Sequence, residues 1–180
     1  MICNWYGKLF VNVWWNGSLS KIFIVGSGVS QGSILSPTLF NLFINLFIVR
    51  LKSSGIGCHS NSVFYGCFLY ADDIIILSPS VCGLQVMLDN CYHTCTLLSL
   101  RFNHLKSHCI IFGKSYKLSM QPMMLGFNCI QWVDCMKYLG VHACSGKNLP
   151  FDIDLFMRSA TVYILVLRVL VLYHTNSCLE

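Results

Sequence analysis

The stretch LYADDIIILS, residues 69–78, sets two adjacent carboxylates, Asp72 and Asp73, between two apolar runs. Asp and Glu together number seven in 180 residues, so placing two of them side by side calls for a reason. The isoleucines that follow the pair are β-branched, which disfavours a helix and suits a pleated sheet. Val63 to Tyr70, before the pair, is also β-prone. The pair is therefore expected at a tight turn between two strands. Two carboxylates ~4 Å apart repel by about 1 kcal/mol in water and by several times that near a protein interior. A solvated turn or a helix cap at Asp73 relieves this. So does a divalent cation, because Mg²⁺ takes oxygen ligands from one or two carboxylates plus substrate phosphates.

Further elements can be read outward from the hairpin. Upstream, Leu9 to Trp14 and Ser20 to Val25 are β-prone, and Asn16-Gly17 between them suits a type I′ turn. A glycine-bearing loop, VGSGVSQGSILSP, then leads to Ser36-Pro37, a helix start in which Ser caps free N–H groups and Pro has no N–H to lose. The helix that follows, from about Pro37 to Leu51, is apolar almost all round, which predicts burial on several sides. Downstream, Val81, Leu84, Leu88, Cys91, Cys95 and Leu98 alternate by three and four and predict a helix over about 80–98. A strand at about 108–112 and two more short strands within LGFNCIQWVDCMKYLGV complete the order. Mixed strands and helices of this kind predict an α+β fold with a mostly antiparallel sheet backed by helices. From Ala143 onward no element is assigned; TVYILVLRVLVLY shows no helical amphipathicity.

Composition narrows the class. Hydrophobic residues make up 55% and charged residues 11%, which points either to a membrane protein or to the inside of a larger protein. No window offers the run of about 18 apolar residues that a helical span needs, so no membrane association is expected. The first residues do not form a signal peptide. A net charge of +5 permits contact with nucleic acid. Eleven cysteines without small-domain spacing predict thiols in a reduced, intracellular compartment, nuclear or cytoplasmic. The segment CYHTC, residues 91–95, falls on a predicted helix without a second ligand pair, so core packing is the expected role of its cysteines.

YADD at 70–73, preceded by GVSQGSILSPTLFNLFIN at 28–45, resembles the reverse transcriptases of non-LTR, LINE-type retrotransposons. GLQVMLD at 83–89, FNHLKSHCIIFGK at 102–114 and MKYLGV at 136–141 continue the resemblance in order. It implies a partial polymerase palm over residues 1–142, with 143–180 a degraded or unassigned tail. It also implies two-metal nucleotidyl transfer with Mg²⁺ or Mn²⁺, an RNA template, a DNA primer and deoxynucleotides. By the same resemblance Asp72 and Asp73 are the catalytic and metal-binding carboxylates, with Asp72 the principal ligand. Tyr70 lies beside the primer end, Gln31 and Gly32 along the template and nucleotide, and Lys106 near the nucleotide phosphates. Tyr138, Leu139 and Gly140 support the primer, and Ser36, Pro37 and Asn41 open the helix behind the loop.

The chain also departs from that pattern. The strand that carries the family's other catalytic aspartate is expected upstream of the first hairpin and is missing, as are fingers and thumb. Ser30 stands where arginine is common, and no aspartate follows Asn45. The expectation is a fragment that is inactive alone and binds metal weakly. The alternatives are a non-catalytic nucleic-acid-binding remnant and, less favoured, a small membrane protein.

Overall fold

The computed structural model describes residues 10–25, 28, 30, 32–113, 116–117, 119–146 and 162–171. The chain opens with nested hairpin strands, β1 (Phe10–Val11), β2 (Trp14–Trp15), β3 (Ser18–Leu19) and β4 (Phe23–Ile24). Asn16 and Gly17 both take positive φ, 46° and 78°, as the type I′ reading requires. Helix α1 (Ser36–Ser53) follows, then β5 (His59–Ser60), β6 (Val63–Phe64), β7 (Cys67–Tyr70) and β8 (Asp73–Ser78). Helix α2 (Val81–Leu97) leads into β9 (Leu100–Phe102), a 3₁₀ turn (His104–Lys106) and β10 (His108–Phe112). Two hairpins come next, β11 (Met123–Leu125) with β12 (Asn128–Ile130), and β13 (Cys135–Tyr138) with β14 (Val141–Cys144). The last described element is β15 (Val162–Val171). The fold is α+β, and the named strands pair antiparallel.

The main sheet has the order β10–β15–β8–β7, with β9 paired to the end of β15. The hairpin expected from LYADDIIILS is there, and Tyr70 pairs with Asp73 to close it. The sequence reading leaves Val162–Val171 without an element, yet it forms an inner strand between β8 and β10. Its missing periodicity has a physical reason. A ten-residue apolar run broken by one arginine shows neither the alternation of a half-buried strand nor the three-and-four spacing of a helix, and here both edges of the strand are paired.

Each face of the sheet has its own core. Ile74 and Ile76 pack with Ile44, Phe47 and Leu51 of α1 and with Leu84, Met87, Leu88 and Cys91 of α2. On the other side Leu77, Ile110, Phe112, Ala143 and Ile164 form a second cluster, joined by Ile75, Met136 and Tyr138. The burial expected all round α1 is not observed. Ile44, Phe47 and Leu51, spaced three and four apart, are buried, whereas Leu42 is 69% and Val49 is 53% exposed. Helix α2 follows its periodicity closely, and the Ser80 hydroxyl accepts its capping bond from the Gly83 N–H at 3.1 Å. The Gln85 amide ties α2 to β11: Nε2 donates to the Met124 carbonyl at 2.7 Å, and the Met124 N–H donates to Oε1 at 2.9 Å. No helix among the described residues is long and apolar enough to cross a membrane.

The cysteines divide in two. Cys91 and Cys95 lie on the buried face of α2, and no group of three or more potential metal ligands occurs among the described residues. The sequence reading expects thiols, but the β13–β14 register sets Cys135 opposite Cys144, with Cα atoms 4.0 Å apart, and the two form a disulfide. Burial pushes the Cys67 and Cys95 thiols up to about 12 from 9.0, and that of Cys58 to about 11. An unfolded thiol ionises first, so this contribution to stability is complete below about pH 9 and is lost as pH climbs toward 12. Cys95 is 2% exposed, and its share should fall by about 1.4 kcal/mol per pH unit in that window. Thermal melts between about pH 8 and about pH 11 are expected to show the loss, with a flatter profile for Cys95→Ala. Equal slopes for the two proteins would contradict it.

Candidate active site

The β7–β8 turn is two residues long, Ala71 and Asp72, because Tyr70 and Asp73 pair across it. Ala71 takes a positive φ of 50°. The left-handed region costs an L-residue roughly 1–2 kcal/mol, so the turn holds strain. The two carboxylates have different surroundings. Asp72 is exposed at the tip, whereas Asp73, at the head of β8, is 5% exposed. Tyr70 is 62% exposed.

Tyr138 reaches this corner from the β13–β14 hairpin. Its phenol is held above its ordinary range, first by burial, then by the charge of Asp73 and by Tyr70. Tyr70 and Asp73 thus both act on the Tyr138 phenol. Leu139 and Gly140 form the two-residue loop of that hairpin, at φ 47° and 85°. Leucine is unfavourable at positive φ, and its side chain is 52% exposed, so Leu139 is not a core residue.

A cavity of about 610 Å³ opens beside the turn. Leu69, Tyr70 and Ala71 line one side of it, and Gly32, Ser33, Ser36 and Asn41 line the other. Its size falls in the range of small-molecule sites. Ser36 does not cap α1 as expected. Leu35 is the N-cap and makes no side-chain cap bond, while the Ser36 hydroxyl donates to the Ser30 carbonyl at 2.6 Å. That bond fastens the loop to the helix and so shapes the cavity wall. Gly32, at φ 85°, needs the conformational freedom of glycine there. Gln31 lies outside the described residues.

Lys106 is exposed on the 3₁₀ turn before β10. His108 pairs with Val166, and Arg168 pairs with Asp73, so this turn stands at the same end of the sheet as Asp73. Lys106 does not line the cavity.

Residues 1–143 match the family described as reverse transcriptase (RNA-dependent DNA polymerase). The chain belongs to the reverse transcriptase family. Among curated relatives, a Pol polyprotein from the type-2 retrotransposable element R2DM of Drosophila melanogaster is 30% identical over 137 residues. A Pol polyprotein from the type-1 retrotransposable element R1 2 of Nasonia vitripennis is 24% identical over 132 residues. These matches cover 71% and 67% of this chain but only 13% and 30% of the relatives. This reverse transcriptase domain is thus of the non-LTR, LINE type, and it corresponds to a small part of those polyproteins.

The family generally uses divalent metal ions. Asp72 and Asp73 are hard oxygen donors of the right kind. However, they are consecutive on one hairpin, one exposed and one buried, and no third potential ligand groups with them among the described residues. They suit a share of a metal site and do not make up a two-ion set.

Proposed function

We propose that this chain is the palm portion of an RNA-directed DNA polymerase of a retrotransposon, with Asp72 and Asp73 as its contribution to the metal-dependent nucleotidyl-transfer site. Bound divalent ions would supply charge neutralisation at the transferring phosphate. The Tyr70–Asp73 pairing that closes the hairpin, next to a cavity that Tyr70 lines, supports the reading. In it, the exposed Tyr70 ring stacks against the primer end, and Gly32, with Gln31 beside it in sequence, follows the template and nucleotide. The Tyr138-Leu139-Gly140 hairpin supports the primer strand, and Lys106 meets phosphate. Fingers and thumb segments, with the template RNA and primer DNA, are the partners that complete the enzyme.

Binding of a fluorescent DNA primer annealed to RNA tests this by anisotropy. Tyr70→Ala should weaken binding by roughly 5- to 150-fold, because base–aromatic stacking is worth about 1–3 kcal/mol. Lys106→Ala should reduce the salt slope by about one unit. Hybrid binding indifferent to both substitutions would sink the reading.

A further inference from the structure

β15 lies directly beside the Asp73 strand, on the side away from β7. Its register runs Leu167 to Ile74 and Arg168 to Asp73. Arg168 is the one charged residue in this ten-residue strand of otherwise aliphatic and aromatic residues. The single charge of β15 is thus set across from the buried carboxylate of β8. Directly opposed residues in an antiparallel pair share a face, with Cβ atoms about 4.5–5.5 Å apart. A two-ion site instead needs carboxylates converging from separate strands. The neighbouring strand brings a cationic residue to that register position.

We infer that the C-terminal strand Val162–Val171 closes the carboxylate site and that the charge at position 168 sets its affinity for divalent cations. With arginine there, Mg²⁺ and Mn²⁺ are held weakly; with a neutral or acidic residue, affinity rises. Position 168 is therefore a specificity-determining position of the chain, one that the family motifs quoted above do not include. The inference rests on the reading of Asp72 and Asp73 as metal-facing carboxylates.

Mn²⁺ binding, read from the loss of the free-ion electron paramagnetic resonance signal, tests it without any assay of activity. The full chain is compared with Arg168→Gln and Arg168→Asp, and Asp72→Asn is added to each. Arg168→Gln should bind Mn²⁺ at least about tenfold more tightly, since removing a positive charge at the register position opposite Asp73 removes repulsion of a divalent cation. Arg168→Asp should bind more tightly again, and Asp72→Asn should remove the gain. Circular dichroism checks the fold, and Arg168→Gln alone decides the matter if Arg168→Asp fails to fold. Equal affinity of the full chain and Arg168→Gln, with both weakened by Asp72→Asn, overturns the inference and leaves the site reading standing. Binding indifferent to Asp72→Asn, or no binding by any variant, overturns both.

Discussion

Primer extension on an RNA template by the 180-residue chain is expected to stay at background with Mg²⁺ or Mn²⁺, and Asp72→Asn is expected to leave that background unchanged. Two-metal transfer needs carboxylates from separate strands to hold both ions in line with the attacking hydroxyl and the phosphate. Here β8 contributes Asp73 and the adjoining turn contributes Asp72, while the strand on the other side contributes Arg168 at the matching register. The remaining described aspartates do not replace the missing ligand. Asp89 sits on α2, where its carboxylate accepts a bond from Gln85 Nε2 at 2.8 Å, and Asp134 lies exposed just before β13. Positioning and electrostatics carry most of the catalysis in phosphoryl transfer. Each ~1.4 kcal/mol of lost transition-state stabilisation is a factor of ten, so a site short of one metal ligand loses several orders of magnitude. Extension that is present in the full chain and abolished by Asp72→Asn would mean that another carboxylate completes the site.

The parts of this arrangement that were legible in the sequence are those with local causes. β-Branching after Asp73 marks β8, the three-and-four spacing from Leu84 to Cys95 marks α2, and Asn16-Gly17 marks its turn. The motifs place Tyr70, Asp72 and Asp73 on one hairpin for the same reason. The illegible parts depend on what lies across the sheet. Nothing in TVYILVLRVLVLY says which strands it joins, because an inner strand carries no face signal. Its register, and so the Arg168–Asp73 pairing, is a tertiary fact. The same holds for the Cys135–Cys144 bridge, which needs the hairpin register to bring the two opposite. Helix α1 misleads in another way. Its exposed apolar residues, Leu42 and Val49, have the same composition as its buried ones, so the sequence does not distinguish the two faces. The nested hairpins are similar: Trp14 is 66% and Trp15 is 80% exposed although both are large and apolar. Such surfaces fit a chain whose relatives carry much more polypeptide than this one.

Phe47→Ala is expected to cost about 3–5 kcal/mol, a large fraction of the roughly 5–15 kcal/mol that holds a domain folded. Phe47 is fully buried, and its ring meets that of Phe102 edge-on, with centroids 6.1 Å apart and planes at 70°. The contact joins α1 to the end of β9, whose strand pairs with β15. One side chain therefore links the helix behind the sheet to β9. Truncation removes the buried area and also the edge-to-face term, worth about 0.5–1.5 kcal/mol. The surrounding core, Ile74 and Ile76 of β8 with Leu84 and Leu88 of α2, comes from two elements that hold each other in place, so the space left by the ring cannot collapse fully. Phe47→Leu keeps most of the volume and should cost less than half as much. Urea unfolding followed by circular dichroism measures both. The contrast with Phe43→Ala is the sharper check: Phe43 lies on the same helix, is 43% exposed, and should lose about 1 kcal/mol or less. Similar losses at 43 and 47 would mean that α1 does not bury the face that carries Phe47, and the packing that positions the Asp72–Asp73 turn would have to be redrawn.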